Sequence, residues 1–208
     1  MMEVAKIIVG PLEVNCYVIS EPGSPEAVII DPGDEPEKII RFVESNGLKP
    51  EYIIFTHAHY DHVCAVKELQ DRYGAVIVMH EDEMQTYRRT ARFCASLGYE
   101  PEDFPDPERT VKEGAILTSG RVRLKIIHTP GHTPGSICIS AENVLFTGDT
   151  LFRGAAGRTD LPGGDFEVLL NSLKKLILLP GQTKVFCGHE ADTSIGEEAR
   201  KNPFIKHS

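Results

Sequence analysis

The segment Thr56-His57-Ala58-His59-Tyr60-Asp61-His62 places three imidazoles and a carboxylate directly after the apolar run Ile53-Ile54-Phe55. Imidazole nitrogen and carboxylate oxygen suit zinc, iron or manganese. Four potential ligands in one loop exceed what a single tetrahedral site with an open position requires. The spacing therefore points to two adjacent metal ions, provided that more ligands arrive from elsewhere.

Three later segments have the same construction. Gly131-His132-Thr133-Pro134-Gly135 follows the apolar run from Val122 to Ile127, Gly148-Asp149-Thr150 follows Asn143 to Thr147, and Gly188-His189-Glu190 follows Lys184 to Cys187. Each is a β-rich run, then glycine, then histidine or aspartate. Glycine lets the backbone turn sharply beside a ligand, and the preceding strand holds it rigidly. The candidate ligands are His57, His59, Asp61, His62, His132, Asp149 and His189, at four strand ends. A structural zinc site typically uses four protein ligands, cysteine-rich and closely spaced, so a closed metal staple explains this set poorly.

These motifs resemble the metallo-β-lactamase superfamily, whose H-x-H-x-D-H loop is followed by single His, Asp and His ligands in that order. The resemblance extends from Asn15-Cys16-Tyr17 to Asn202-Pro203-Phe204, and the chain is most similar to small glyoxalase II-like thioesterases. The phrases that carry the likeness are Asp31-Pro32-Gly33, Thr129 to Gly135, Gly148 to Gly154, and Gly157-Arg158-Thr159-Asp160-Leu161. The resemblance implies a four-layer αββα sandwich, where periodicity alone reads only as α/β or α+β. It also implies that His57, His59 and His132 hold one divalent ion, that Asp61, His62 and His189 hold a second, and that Asp149 bridges them. Asp61, His62 and Asp149 are then the catalytic residues. A metal pair lowers the pKa of a shared water towards neutral and stabilises negative charge on a carbonyl oxygen. Attack by the metal-bound hydroxide on a thioester expels a thiolate, which leaves without a dedicated acid.

By the same resemblance, Arg158 grips the carboxylate of glutathione through its planar fork, with Arg153 a weaker candidate. The alternative for Arg158 is a loop-bracing ion pair with Asp160. Full-length glyoxalase II enzymes continue into a helical region after the Asn-Pro-Phe segment, whereas this sequence ends at Ser208. The expectation is one domain over residues 1–208 without that region, and with much of its thiol-recognition surface missing. The segment from Glu81 to Glu108 is placed to wall the cleft instead. An iron-dependent oxygenase of the persulfide dioxygenase kind, using His57, His132 and Asp149, is the main alternative activity. A lactonase or nuclease on the same site ranks below it, and a non-enzymatic metal-binding module last. The flavodiiron branch has Glu where His59 stands.

Across 208 residues, 41% are hydrophobic, enough for a substantial buried core. Acidic residues outnumber basic ones 31 to 22, which argues against a broad phosphate-binding surface and hence against nucleic acid as a partner. The partner expected is a small-molecule thioester. The start shows no signal-peptide pattern, and no apolar run reaches the roughly 20 residues of a membrane span. The five cysteines form no C-x-x-C pair and are read as buried thiols in a cytoplasmic protein. Cys64, two residues after His62, is not needed as a ligand. His80 and His128 are read as supporting residues rather than ligands, and His207 as solvated. Tyr60 either faces the site or packs.

The elements that must position these groups follow from periodicity. Strands are expected at Val4–Val9, Val14–Ser20, Ala27–Ile30, Tyr52–Phe55, Ala75–Met79, Ala115–Leu117, Val122–Ile127, Ser136–Ser140, Asn143–Phe146 and Lys184–Cys187. Helices are expected at Glu35–Ser45, His62–Tyr73, Glu81–Leu97 and Phe166–Leu178, the last opened by Asp165 as N-cap. Glu100 to Glu108 reads as a proline-bearing loop.

Overall fold

The computed structural model describes residues 2–100 and 103–206. His207 and part of the loop from Glu100 to Glu108 lie outside the described residues. The elements run β1 (Glu3–Val9), β2 (Val14–Ser20), β3 (Glu26–Ile30), α1 (Pro36–Ser45), β4 (Lys49–Ile54), α2 (Tyr60–Val63), α3 (Val66–Tyr73), β5 (Val76–His80), α4 (Met84–Ala95) and β6 (Arg109–Val111). Then come β7 (Ile116–Ser119), β8 (Val122–His128), β9 (Ile137–Ala141), β10 (Val144–Gly148), β11 (Leu151–Phe152), β12 (Ala155–Ala156), α5 (Phe166–Leu176), β13 (Lys184–Cys187), β14 (Thr193–Ser194), α6 (Ile195–Lys201) and α7 (Pro203–Lys206).

One sheet has the order β1-β2-β3-β4-β5-β6, antiparallel from β1 to β3 and parallel from β3 to β6. The other has the order β14-β13-β10-β9-β8-β7, with only β10 and β13 parallel. Strand side chains alternate between faces, and three apolar cores result. Tyr17, Ile30, Ile54 and Val78 of the first sheet meet Leu124, Ile126, Ile139 and Phe146 of the second. On the outer face of the first sheet, Ile29, Ile53 and Ile77 pack on Ile39 and Val43 of α1, Leu69 of α3 and Tyr87 of α4. On the outer face of the second, Cys138, Leu145 and Val185 pack on Leu169, Leu173 and Leu176 of α5. The fold is a four-layer αββα sandwich. With both faces covered, β2 is buried along its whole length and reads as a continuous rather than alternating run.

The expected helix from His62 to Tyr73 is two helices. The Ala65 amide donates to the Pro32 carbonyl at 3.0 Å, so the backbone turns aside between α2 and α3. The expected helix at Glu81 opens as a 3-10 turn over Glu81–Glu83 before α4 begins. Asp165 does cap α5, accepting from the Val168 amide at 3.1 Å. All five cysteines are buried thiols. No helix among the described residues is long and apolar enough to cross a membrane.

Candidate metal centre

The strands β3, β4, β8, β10 and β13 deliver their C-terminal ends to one rim of the sandwich, where ligand crevices form in α/β sheets. His57, His59, Asp61 and His62 follow β4, His132 follows β8, Asp149 follows β10 and His189 follows β13. Their close approach needs glycine beside them. A Cβ on Gly188 would lie 2.3 Å from Asp149 Oδ1 and 3.0 Å from His62 Cε1, and one on Gly33 would lie 1.5 Å from the Asp61 carbonyl oxygen.

The seven side chains form two clusters. His132 Nε2 lies 2.9 Å from His59 Nδ1 and 3.3 Å from His57 Nε2. In the second cluster, Asp61 Oδ2 lies 3.4 Å from His189 Nε2 and 3.8 Å from His62 Nε2. Asp149 spans both. Its Oδ1 is 3.5 Å from His62 Nε2, and its Oδ2 is 3.6 Å from His132 Nε2 and 3.7 Å from His189 Nε2.

Hydrogen bonds on the outer side of the rings set which nitrogen faces inward. His132 Nδ1 donates to the Arg158 carbonyl at 2.7 Å, and His189 Nδ1 donates to the Leu12 carbonyl at 2.9 Å. A carbonyl only accepts, so the proton sits on Nδ1 and the Nε2 lone pair points into the site. His62 Nδ1 lies 3.1 Å from Asp31 Oδ2. Asp31 is itself fixed, because it accepts from the Thr56 amide at 2.7 Å and the Thr56 hydroxyl at 2.6 Å.

Glu83 was not singled out by sequence reasoning, and it ties the two histidine loops together. It is fully buried. One oxygen accepts from the Ala58 amide at 3.0 Å, and the other from the Thr133 hydroxyl at 2.8 Å and the Gly135 amide at 2.7 Å. Ala58 lies between His57 and His59, and Thr133 follows His132. The available signal was its spacing: Glu83, Thr86, Tyr87, Thr90 and Cys94 share the buried stripe of the helix.

The two clusters differ electrostatically. Burial and neighbouring imidazoles hold His57 well below the ordinary histidine range and His59 at about 4. Burial likewise lowers His132. Burial pulls His62 down too, but Asp149, Asp61 and Asp31 overcome it and lift it to about 10. Asp61 and Asp149 raise His189 against the same burial. Burial alone would raise Asp61, yet His62 and His189 hold it below the usual carboxylate range.

These residues fit divalent cations. Among the described residues, His62 Nε2 and Asp149 Oδ1 are buried without a hydrogen-bond partner, which is costly for polar atoms unless something else engages them. Three atom sets, His57/His59/His132, His57/His62/Asp149 and Asp61/His62/His189, each converge within 4.8 Å. All the donors are nitrogen or carboxylate oxygen, the set that zinc, iron and manganese accept.

The clusters open into a cleft of about 700 Å³. Arg158 lines it, but the guanidinium makes a bidentate pair with Asp160 at 2.7 Å for both bonds, leaving the Arg158 carbonyl to orient His132. Arg153 is not a cleft-lining residue and lies 3.9 Å from Glu197 of α6. Tyr60 does both things asked of it: it lines the cleft, and its ring packs on Phe93 at 5.4 Å. His80 and His128 stack at 3.8 Å, and His128 Nε2 donates to the Pro134 carbonyl at 2.9 Å. The pair thus braces the far side of the His132 loop. Cys64 faces Cys94, with 3.7 Å between the sulfurs, and belongs to the helix-side core.

Residues 9–189 match the family model of the metallo-beta-lactamase superfamily. The chain belongs to that superfamily. Within it, the hydroxyacylglutathione hydrolase GloC of Haemophilus influenzae is 36% identical over 98% of both chains. The crystal structure of TTHA1623 in a di-iron-bound form is 38% identical, with a TM-score of 0.86 over 96% of this chain and 99% of that one. The crystal structure of the B3 metallo-beta-lactamase BLEG-1 is 36% identical, with a TM-score of 0.88 over 98% and 99%. As in the superfamily at large, the His and Asp clusters mark a metal-dependent site.

Proposed function

We propose that this metallo-β-lactamase superfamily protein is a binuclear metal-dependent hydrolase that cleaves glutathione-type thioesters. The observation that carries the reading is the pairing of two ligand clusters through Asp149 at the floor of an open cleft. His57, His59 and His132 would hold one ion, and Asp61, His62 and His189 the other, with Asp149 between them. Ions bound there supply a Lewis acid and a water acidic enough to ionise near neutral pH.

The chain's own groups do the rest. The Arg158 and Leu12 carbonyls keep the protons of His132 and His189 on Nδ1, and Asp31 steers His62. Glu83 fixes the spacing of the two histidine loops. In the reaction the acyl carbon–sulfur bond breaks, the acyl carbon gains the oxygen of water, and the thiolate leaves without needing a proton donor. Similarity to GloC supports a thioester as substrate. The di-iron form of TTHA1623 supports an iron pair as well as zinc.

The test is elemental analysis of protein purified without added metal, followed by thiol release from S-lactoylglutathione. About two ions per chain and thiol release are expected. Fully metallated protein that hydrolyses no thioester removes this substrate class. Oxygen uptake by iron-loaded protein with glutathione persulfide would transfer the assignment to an oxygenase using His57, His132 and Asp149.

A further inference from the structure

Beside the main cleft lies a second cavity of about 340 Å³, between α4 and the turn at Leu161-Pro162. His59, Tyr60 and Leu161 line both cavities, so the second is a branch of the first. Its wall is built from the rings of Tyr60 and Phe93 and from Pro162. The Thr90 hydroxyl in this wall already donates to the Ala58 carbonyl at 2.5 Å.

One charged group reaches this apolar branch, Arg89. It is half-buried, unlike its exposed neighbours Arg88 and Arg92. A Cβ on Gly163 would lie 3.3 Å from Arg89 Nη2, so the guanidinium sits at the loop that closes the branch. Among the described residues it makes no ion pair and no side-chain hydrogen bond, although acidic residues outnumber basic ones in this chain. A guanidinium drawn partly out of water without a counter-charge is unfavourable. A carboxylate supplied from outside would relieve it through two parallel hydrogen bonds.

A thioester diverges into two arms at its reacting carbon. The larger cleft suits the larger thiol arm, and the 340 Å³ branch suits an acyl chain of a few carbons. We propose that the branch binds the acyl arm, and that Arg89 selects acyl groups whose short aliphatic chain ends in a carboxylate. This assignment rests on the thioesterase reading and names the substrate class within it.

The experiment compares S-glutarylglutathione with S-pentanoylglutathione, which share a five-carbon acyl chain and differ in the terminal carboxylate. Metal-loaded protein is expected to favour the glutaryl thioester by about tenfold in kcat/KM. R89A and R89Q should bring that ratio close to one, R89K should retain part of it, and R88A should leave it intact. A ratio is insensitive to the fraction of folded enzyme, so misfolding cannot mimic the result. An unchanged ratio in R89A, or no preference in the unsubstituted protein, overturns the proposal. Calorimetry with the matching non-hydrolysable thioethers separates the two readings. If neither thioester is cleaved, the thioesterase reading falls. The branch assignment then still stands if the carboxylate-ended thioether binds more tightly than the neutral one and loses that advantage in R89A, and falls if it does not.

Discussion

His62 Nδ1 lies 3.1 Å from Asp31 Oδ2, and both Asp31 oxygens also accept hydrogen bonds from Thr56. The carboxylate thereby aims one ring from outside the ligand set. It directly follows β3 while His62 belongs to α2, which follows β4, so the orientation of His62 depends on the register of two adjacent strands, β3 and β4. Asp31 has φ of 51°, a conformation that Asn also tolerates, so D31N keeps the backbone. The amide can present only one oxygen where two donors and an imidazole now converge. D31N should weaken binding of one of two ions by about 10–100-fold, read by chelator competition, while the other ion stays bound.

The two clusters should lose their ions at different pH. His59 sits at about 4 and His57 is lower than ordinary, so protons do not compete there until the medium is acid. His62 stands at about 10 and His189 is raised, so an ion entering the second cluster must displace a proton. Its apparent affinity should fall by about tenfold per pH unit below 10, and more steeply once His189 is protonated as well. Dialysis at pH 5.5 against limiting zinc should leave the His57/His59/His132 cluster loaded and the other depleted, and dialysis at pH 8 should leave both loaded. Metal content measured after each step checks this, and loss from the first cluster before the second counts against it.

The seven clustered side chains were legible because each lies in a short segment that follows a strand, with Asp61 and His62 reached through the same run as His57 and His59, and a strand end is a local pattern. The sandwich came from motif resemblance, since buried two-sided strands such as β2 lose the alternation that would mark them. Glu83 was hidden by its neighbours Glu81 and Asp82, which are exposed and read as a charged helix start. Its partners Ala58, Thr133 and Gly135 are distant in sequence and meet it only once the sheets close. The short pieces β6, β11, β12 and β14 have only two or three residues, too few for any period. By contrast α6 carried an unread signal: Ser194 accepts from the Glu197 amide at 3.2 Å, the first half of a Ser-x-x-Glu capping pattern. Arg158 resolved towards its pairing with Asp160, a contact two residues away that its spacing allowed from the outset.

Glu83 faces three donors and no cation; each carboxyl oxygen keeps an accepting lone pair whether or not it carries the proton, whereas an amide nitrogen accepts nothing. In E83Q the amide nitrogen must confront at least one backbone N–H, and a loss of about 1–3 kcal/mol in apoprotein stability is expected. Burial, set against these hydrogen bonds, lifts Glu83 from 4.5 to about 7. The folded chain therefore holds this proton more tightly than the unfolded chain. That contribution is complete below about pH 4.5 and is lost as pH rises through about 7. The stability difference between the unsubstituted apoprotein and E83Q should narrow from pH 5 to pH 7.5, and denaturant melts across that range measure it. A difference that is flat or widens with pH would contradict this placement of the proton.

Asp61 separates the roles of the two clusters. It contacts His62 and His189, lies outside all three apolar cores and makes no ion pair with His57, His59 or His132 among the described residues. Removing it therefore strips one cluster of its carboxylate and leaves the other complete. In D61A the apoprotein should still unfold cooperatively, and the metal content should fall from about two ions to one. If both ions serve thioester hydrolysis, kcat/KM should drop by roughly 10²–10³, the size of loss seen when one transition-state stabilising group is removed. The apoprotein melt reports the fold, and metal content and activity are read from one preparation, so loss of the second ion and loss of hydrolysis are measured together. Hydrolysis that persists in D61A with a single ion bound would assign the chemistry to the three-histidine cluster and Asp149 alone.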